Sequence, residues 1–486
     1  MTGGTAARQA MQTGRADLAV PVLRALYMAN SGDIESARLL GFALRLDQKL
    51  VEADTVFSAA SEPMADPGCS LGLAQTRYEL GLPAAALFAR AEELDPANPD
   101  IVRNRAAAMA GEGDVAGAEH LLETALAQHP DWLDGHKGLA TLRWTRGDQT
   151  KFADSYAASC RARPGNASLW MAWFAAMAQI RDWAAAGAIL DEARQHLGST
   201  PGIAASRFFL ASESGDTIAA DVLFAATRNI TGDTTNLTRI RYLLRLGRFD
   251  EAQNLALPLT KTPSAALFWP YLSLIWRLTG DARHLWLDNP EVFIRSVDVD
   301  MSADEYRELA GVLRALHVME RPYVEQSVRG GTQTDRSVIL RREPILQKTR
   351  ARWMAAIRGY IAGLPPHEEG HPLLGTPRNH LLIEGSWSVR LLQQGYNVPH
   401  THPMGWLSTA FYIALPDAAQ MGPSPSGHIA FGTPPADLGL DLPPYRHLAP
   451  KVGQSAVFPS TTWHSTVPFD GGERLVLALD VRKPNY

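Results

Sequence analysis

Cysteine is nearly absent: only Cys69 and Cys160 occur in 486 residues. Two thiols build no disulfide framework and lack the spacing of a cysteine metal site, so a reducing, cytoplasmic setting is expected. Long apolar runs are missing too, since no stretch reaches the 18 or more residues of a membrane-spanning helix. The first residues, Met1 to Arg15, show neither an apolar leader core nor a cleavage pattern. Charge of one sign is also scarce. A formal net charge of −5 gives no electrostatic footing for nucleic acid or an anionic membrane, so neither is an expected partner. The remainder is an ordinary globular composition, 46% hydrophobic and 20% charged, in a chain too long for one core. Two or three domains are expected.

Histidine is where the sequence becomes specific. In Pro399-His400-Thr401-His402-Pro403 the two imidazoles stand two residues apart, and residues i and i+2 of a strand share a face. Both rings can therefore converge on one ion, with His464 supplied by a second strand. Arg474 follows ten residues later, past the turn Phe469-Asp470-Gly471-Gly472, and adds an anion clamp. The plainer reading of Arg474 is a structural ion pair, with Glu473 adjacent. His380, His428 and His447 have no comparable spacing and read as structural or exposed.

The first half repeats with a period of 34. Asp114, Asp148 and Asp182 share that spacing, as do Pro96, Pro130 and Pro164. Ala118, Leu122 and Ala125, then Trp170 and Phe174, then Ala186, Leu190 and Ala193, follow a helical period between them. Gly113-Asp114 and Gly147-Asp148 at mid-repeat, with small residues at helix crossings and a closing proline, resemble the tetratricopeptide repeat. Gly32-Asp33 and Gly247-Arg248-Phe249-Asp250 look like the same turn in outlying units, and Gly280-Asp281 like a last one. Between about 195 and 245 the signal fades, so irregular units are expected there. Stacked helix pairs bury a continuous core and present a groove, which implies a peptide or protein partner for the array. Trp132, Trp144, Trp170 and Trp173 read as core.

After the repeats the period changes. We divide the chain into a repeat domain (1–285), a helical or irregular junction (286–343) and a strand-rich domain (344–486). A helix is expected from Pro344 to Leu364, with Ile345, Trp353, Ile357 and Tyr360 on one stripe. Beyond Arg378, Ser386–Leu392, Trp406–Leu415 and Arg474–Val481 alternate as strands, and Gly427–Gly432 reads as a strand of the opposite sheet. Ser408, Ala410 and Tyr412 share one face, as do Arg474, Val476 and Ala478. Many short strands with Gly/Pro turns argue for a sandwich or barrel.

The segments Gly395–Pro403, Trp406–Tyr412, Phe458-Pro459, Trp463–Pro468 and Gly472-Glu473-Arg474 resemble the 2-oxoglutarate/Fe(II)-dependent oxygenases. The likeness extends to bacterial oxygenases with tetratricopeptide repeats ahead of that fold. It covers roughly 320–486 and implies a double-stranded β-helix, or jelly roll. By this resemblance His400 and His464 bind Fe(II), and Arg474 pairs with the far carboxylate of the cosubstrate 2-oxoglutarate. Ser388, Arg390 and Tyr412 lie on plausible inward faces and are candidates for further contacts to the same acid. No catalytic residue beyond the metal ligands is expected. The family's carboxylate, two residues after the first histidine, is replaced here by His402. Either His402 ligates as a third imidazole or it turns away. The implied activity is hydroxylation of a peptide or protein substrate, coupled to oxidation of 2-oxoglutarate to succinate and CO₂. The competing readings are a metal-binding jelly roll without turnover, serving a repeat scaffold, and a zinc hydrolase with a three-histidine site.

Overall fold

The computed structural model describes residues 3–64, 66–319, 321–323, 326–335 and 337–484. Met1 and Thr2, the start of the segment read for a leader, lie outside them. Among the described residues, helices from Gly3–Gln12 to Arg283–Asp288 stack as consecutive antiparallel pairs. No helix among the described residues is long and apolar enough to cross a membrane.

The repeat has a backbone cause. Within each pair the chain passes through one left-handed residue: Gly14, Gln48, Gly81, Gly113, Gly147, Arg181, Gly215, Gly247 and Gly280, at φ between 57° and 98°. Such a residue closes one helix, and glycine adopts it without a Cβ clash. In several pairs an aspartate directly after it starts the next helix. Asp114, Asp182 and Asp216 accept the backbone N–H of Gly117, Ala185 and Ala219 as N-caps. The period persists where irregularity was expected, through helices Pro201–Ser214, Thr217–Ala226, Asp233–Arg245 and Phe249–Leu259. Gly32-Asp33 instead lies between pairs, where Asp33 caps helix Ile34–Leu46. The turn inside that unit is at Gln48.

The strands are β1 (Arg295–Asp298), β2 (Val328–Gln333), β3 (Ile383–Asn397), β4 (Gly405–Ala414), β5 (Ile429–Phe431), β6 (Arg446–Leu448), β7 (Gln454–Pro459), β8 (His464–Thr466) and β9 (Arg474–Arg482). They form two antiparallel sheets, β1-β7-β4-β9-β3-β2 and β6-β5-β8. This is the expected jelly roll, preceded by the expected helical solenoid. The segment 286–343, read as a junction, contributes β1 and β2 to the larger sheet. β1 is four mostly polar residues, too short to show alternation.

One face of the large sheet packs on helices Ala303–Ala315 and Pro344–Ala362. Leu309, Leu313, Trp353 and Ile357 meet Leu407, Phe411, Leu475, Leu477 and Leu479 there. Its other face looks across to the small sheet, with Ala456 and Phe458 against Ile429 and Phe431. The array grips this domain at both ends. Near its start, Arg342 N–H donates to the Leu80 carbonyl at 2.9 Å. Near its end, Arg241 pairs with Asp437 at 3.0 Å, and Trp463 Nε1 donates to Pro270 at 2.9 Å.

Candidate metal centre

β3 ends at Asn397, and the chain crosses to β4 through the two histidines. His400 forms a two-way backbone pair with His464, at 3.0 and 3.1 Å, which locks the crossing to β8. His402 N–H donates to the Ser460 carbonyl at 2.9 Å. The crossing is thus an extended loop rather than a strand, yet it delivers the geometry expected of one. One ligand atom from each of His400, His402 and His464 lies within 4.8 Å of the others. Ring centroids are 4.2 Å apart for His400 and His464, and 5.0 Å for His402 with either.

Each ring is oriented from behind. Nδ1 of His400 stands 2.8 Å from the Val398 carbonyl, and Nδ1 of His464 stands 3.0 Å from that of Thr462. Nδ1 of His402 faces the Asp480 carboxylate at 2.7 and 2.9 Å. A carbonyl or carboxylate accepts only, so each Nδ1 carries the proton and each Nε2 keeps a lone pair, that of His400 facing the Ser327 hydroxyl. Burial, then the neighbouring His402, holds His400 down at about 3, and burial with both neighbours takes His464 well below the usual histidine range. Both rings are neutral at physiological pH, the form that ligates a metal.

Arg474 is 3% exposed. Its Nε donates to Gly427 at 3.3 Å, and its guanidinium lies 5.1 Å from the centre of the Tyr412 ring. Glu473 points to the other face and pairs with Arg314 and Arg390, so no carboxylate among the described residues neutralises Arg474. Tyr412 is fully buried, and its hydroxyl has no hydrogen-bond partner of good geometry among the described residues. A buried cation beside an orphaned hydroxyl fits a small carboxylic acid.

Register decides the remaining candidates. Cross-strand partners share a face, and Leu391 opposes Arg474, Val389 opposes Val476, and Val476 opposes Tyr412. Trp387, Val389 and Leu391 therefore face inward. Ser388 and Arg390 face outward, contrary to expectation. Ser388 Oγ lies 2.9 Å from His317 Nε2, and Arg390 Nε donates to Glu473 at 2.6 Å. Burial, with Arg390 nearby, lowers His317 to about 4. Sequence reasoning missed Asp480. It continues the inward series Arg474, Val476, Ala478, and a carboxylate following the apolar Val476 and Ala478 was the available signal.

A cavity of about 620 Å³ lies between the two halves, walled by Lys137, Trp144 and Tyr156 of the array and by Gln326 and Trp387 of the β-domain. Trp387 packs 5.3 Å from the His402 ring, and Ser327, next to Gln326, lies 3.3 Å from His400 Nε2. A second cavity of about 980 Å³ shares Lys137 and Tyr323 with the first and runs on between the halves.

Fold and site together define a jelly roll whose three convergent imidazoles could hold a metal ion, set behind a helical repeat array. Residues 385–480 match the family model described as "Putative 2OG-Fe(II) oxygenase". The chain thus joins a helical repeat array to a C-terminal domain that is similar to that family over the matched residues. Among solved structures, it is similar to a tetratricopeptide repeat protein from Parabacteroides merdae ATCC 43184, at 15% identity and TM-score 0.31, over 48% of this chain and 96% of that one. It is also similar to the viral collagen prolyl hydroxylase of Paramecium Bursaria Chlorella virus-1 in its 2OG complex, at 14% identity and TM-score 0.27, over 40% and 97%. A comparison with curated protein sequences finds no match.

Proposed function

We propose that the protein is an Fe(II)- and 2-oxoglutarate-dependent oxygenase that hydroxylates a peptide or protein substrate held between the repeats and the jelly roll. The observation that carries this reading is the pairing of three convergent Nε2 atoms with a buried arginine that lacks a carboxylate. His400, His402 and His464 would hold Fe(II), a set that leaves coordination positions open. Bound there, the metal and cosubstrate supply the oxidation, in which O₂ converts 2-oxoglutarate to succinate and CO₂ and a C–H bond to C–OH.

The chain's own residues do the rest. Arg474 binds the far carboxylate of the acid, and the Tyr412 hydroxyl donates to it. Val389, Leu391, Val328 and Phe469 form an apolar cluster on this side of β3 that keeps water from the acid's methylene carbons. Trp387 forms the threshold between the histidines and the cleft, and the inner helices hold the substrate chain across it. The repeat residues that wall the first cavity, Lys137, Trp144 and Tyr156, belong to the middle pairs. The combined size of the two neighbouring cavities favours an extended polypeptide over a small metabolite.

The test is succinate release from 2-oxoglutarate with Fe(II) and O₂, with and without a peptide library, for the wild type and Arg474→Ala. Metal-dependent turnover that Arg474→Ala abolishes is expected. Turnover indifferent to Arg474, or none alongside tight zinc binding, overturns the assignment.

A further inference from the structure

Among the described residues, the buried Asp480 carboxylate has His402 as its one ion-pair partner. It is 6% exposed, and no lysine or arginine among the described residues pairs with it. Its neighbours are the His402 ring and the Ser408 hydroxyl, which donates to Oδ1 at 2.7 Å. Burying a carboxylate is costly unless positive charge answers it, and a hydroxyl with an imidazole N–H answers only in part. The missing positive charge has one place to stand. It is the far side of the His402 ring, where three Nε2 atoms meet.

The three rings are also unequal. His400 and His464 are backed by neutral carbonyls, whereas His402 alone is backed by an anion, with both oxygens within 2.9 Å of Nδ1. A carboxylate on Nδ1–H fixes the tautomer and makes Nε2 a stronger donor. The position two residues after the first histidine, where the family pattern has a carboxylate, therefore holds an imidazole that carries a carboxylate behind it.

We infer that Asp480 is the positioning residue of the metal centre: it aims His402 at the ion and supplies, one residue further out, the negative charge that a ligating carboxylate would supply directly. This rests on the metal-centre reading proposed above. The charge of the site then resembles two histidines with one carboxylate rather than three neutral imidazoles. The added negative charge strengthens the hold of the three imidazoles on a divalent cation. The role is indirect, because Asp480 touches a ligand rather than the ion.

Cobalt(II), titrated into the full-length metal-free chain and followed by calorimetry and visible absorption, tests the inference. Wild type binds one equivalent. Asp480→Asn binds roughly 10- to 100-fold more weakly, with an altered visible band as His402 is released. Wild-type affinity and band in Asp480→Asn overturn the inference while leaving the metal centre standing. Failure of the wild type to bind any cobalt overturns the metal centre itself. Imidazole ¹⁵N and ¹H resonances of the wild type serve if Asp480→Asn does not fold. The His402 Nδ1 proton, assigned by its loss in His402→Gln, is expected farther downfield than those of His400 and His464. A His402 protonated on Nε2 contradicts the inference.

Discussion

The Gln48 carboxamide closes both backbone groups of Ile383, donating through Nε2 to the carbonyl at 2.6 Å and accepting the N–H at 3.1 Å through Oε1. These residues are 335 positions apart, one at a repeat turn and the other at the start of β3. Gln48 holds a left-handed backbone, φ 57°, where most other pairs have glycine. The strain is retained because the side chain docks the two halves. Replacing it strands two buried backbone groups, at about 1–3 kcal/mol each. Gln48→Ala is therefore expected to lower the melting temperature and speed proteolysis between the halves. Gln48→Gly, which removes the strain but not the loss, is expected to recover only part of it.

The outward placement of Ser388 and Arg390 separates them from the cosubstrate. Ser388→Ala and Arg390→Ala are expected to leave 2-oxoglutarate affinity at the wild-type level. Tyr412→Phe, which removes one hydrogen bond of about 1 kcal/mol, is expected to weaken it about fivefold. Calorimetry on the metal-loaded variants checks all three, and a large loss with Ser388→Ala would return that residue to the pocket.

Asp288 joins the last repeat helix to the segment before His464. It accepts from Ser273 and, at 3.4 Å, from Thr462. Burial raises it to about 6 despite these bonds and nearby Arg277. A carboxyl raised in the fold binds its proton more tightly there than when unfolded. Its contribution is therefore largest near pH 4 and is lost as pH climbs to about 6, on the order of 3 kcal/mol in all. Histidines buried neutral, such as His317, slope the other way in this window, so the difference between proteins is the readout. Wild-type stability minus that of Asp288→Asn is expected to fall from pH 4 to pH 6. A flat difference removes the role.

Both thiols are free and buried. Burial, then Asp66, pushes Cys69 up to about 12, and burial, then Glu192, does the same for Cys160. Neither should react with iodoacetamide at pH 8 in the folded chain, and both should react in denaturant. Labelling followed by mass measurement reads this directly.

Much of the architecture was legible because its causes are local. A left-handed glycine followed by an aspartate that accepts the N–H three residues on imprints the period of 34 at Gly113-Asp114 and Gly147-Asp148. The signal failed at Gln48, where a tertiary contact supplants glycine, and around Gly215 and Gly247, where the prolines drop out. The histidines and Arg474 were legible from spacing. Ser388 and Arg390 were not, because alternation along Ser386–Leu392 defines two faces without naming the inner one. That is decided by Leu391 standing opposite Arg474, a pairing between strands more than eighty residues apart. Asp480 escaped for a related reason: its meaning comes from His402, which meets it only in the fold.

Binding of 2-oxoglutarate to the chain with and without Fe(II), by anaerobic calorimetry, tests the central claim most directly. The account predicts binding to the metal-loaded wild type, loss without metal or with His400→Ala, and at least roughly 30-fold weakening with Arg474→Ala, the cost of removing one partner of a buried charged pair. Equal affinity with and without the ion, or with and without Arg474, would contradict it.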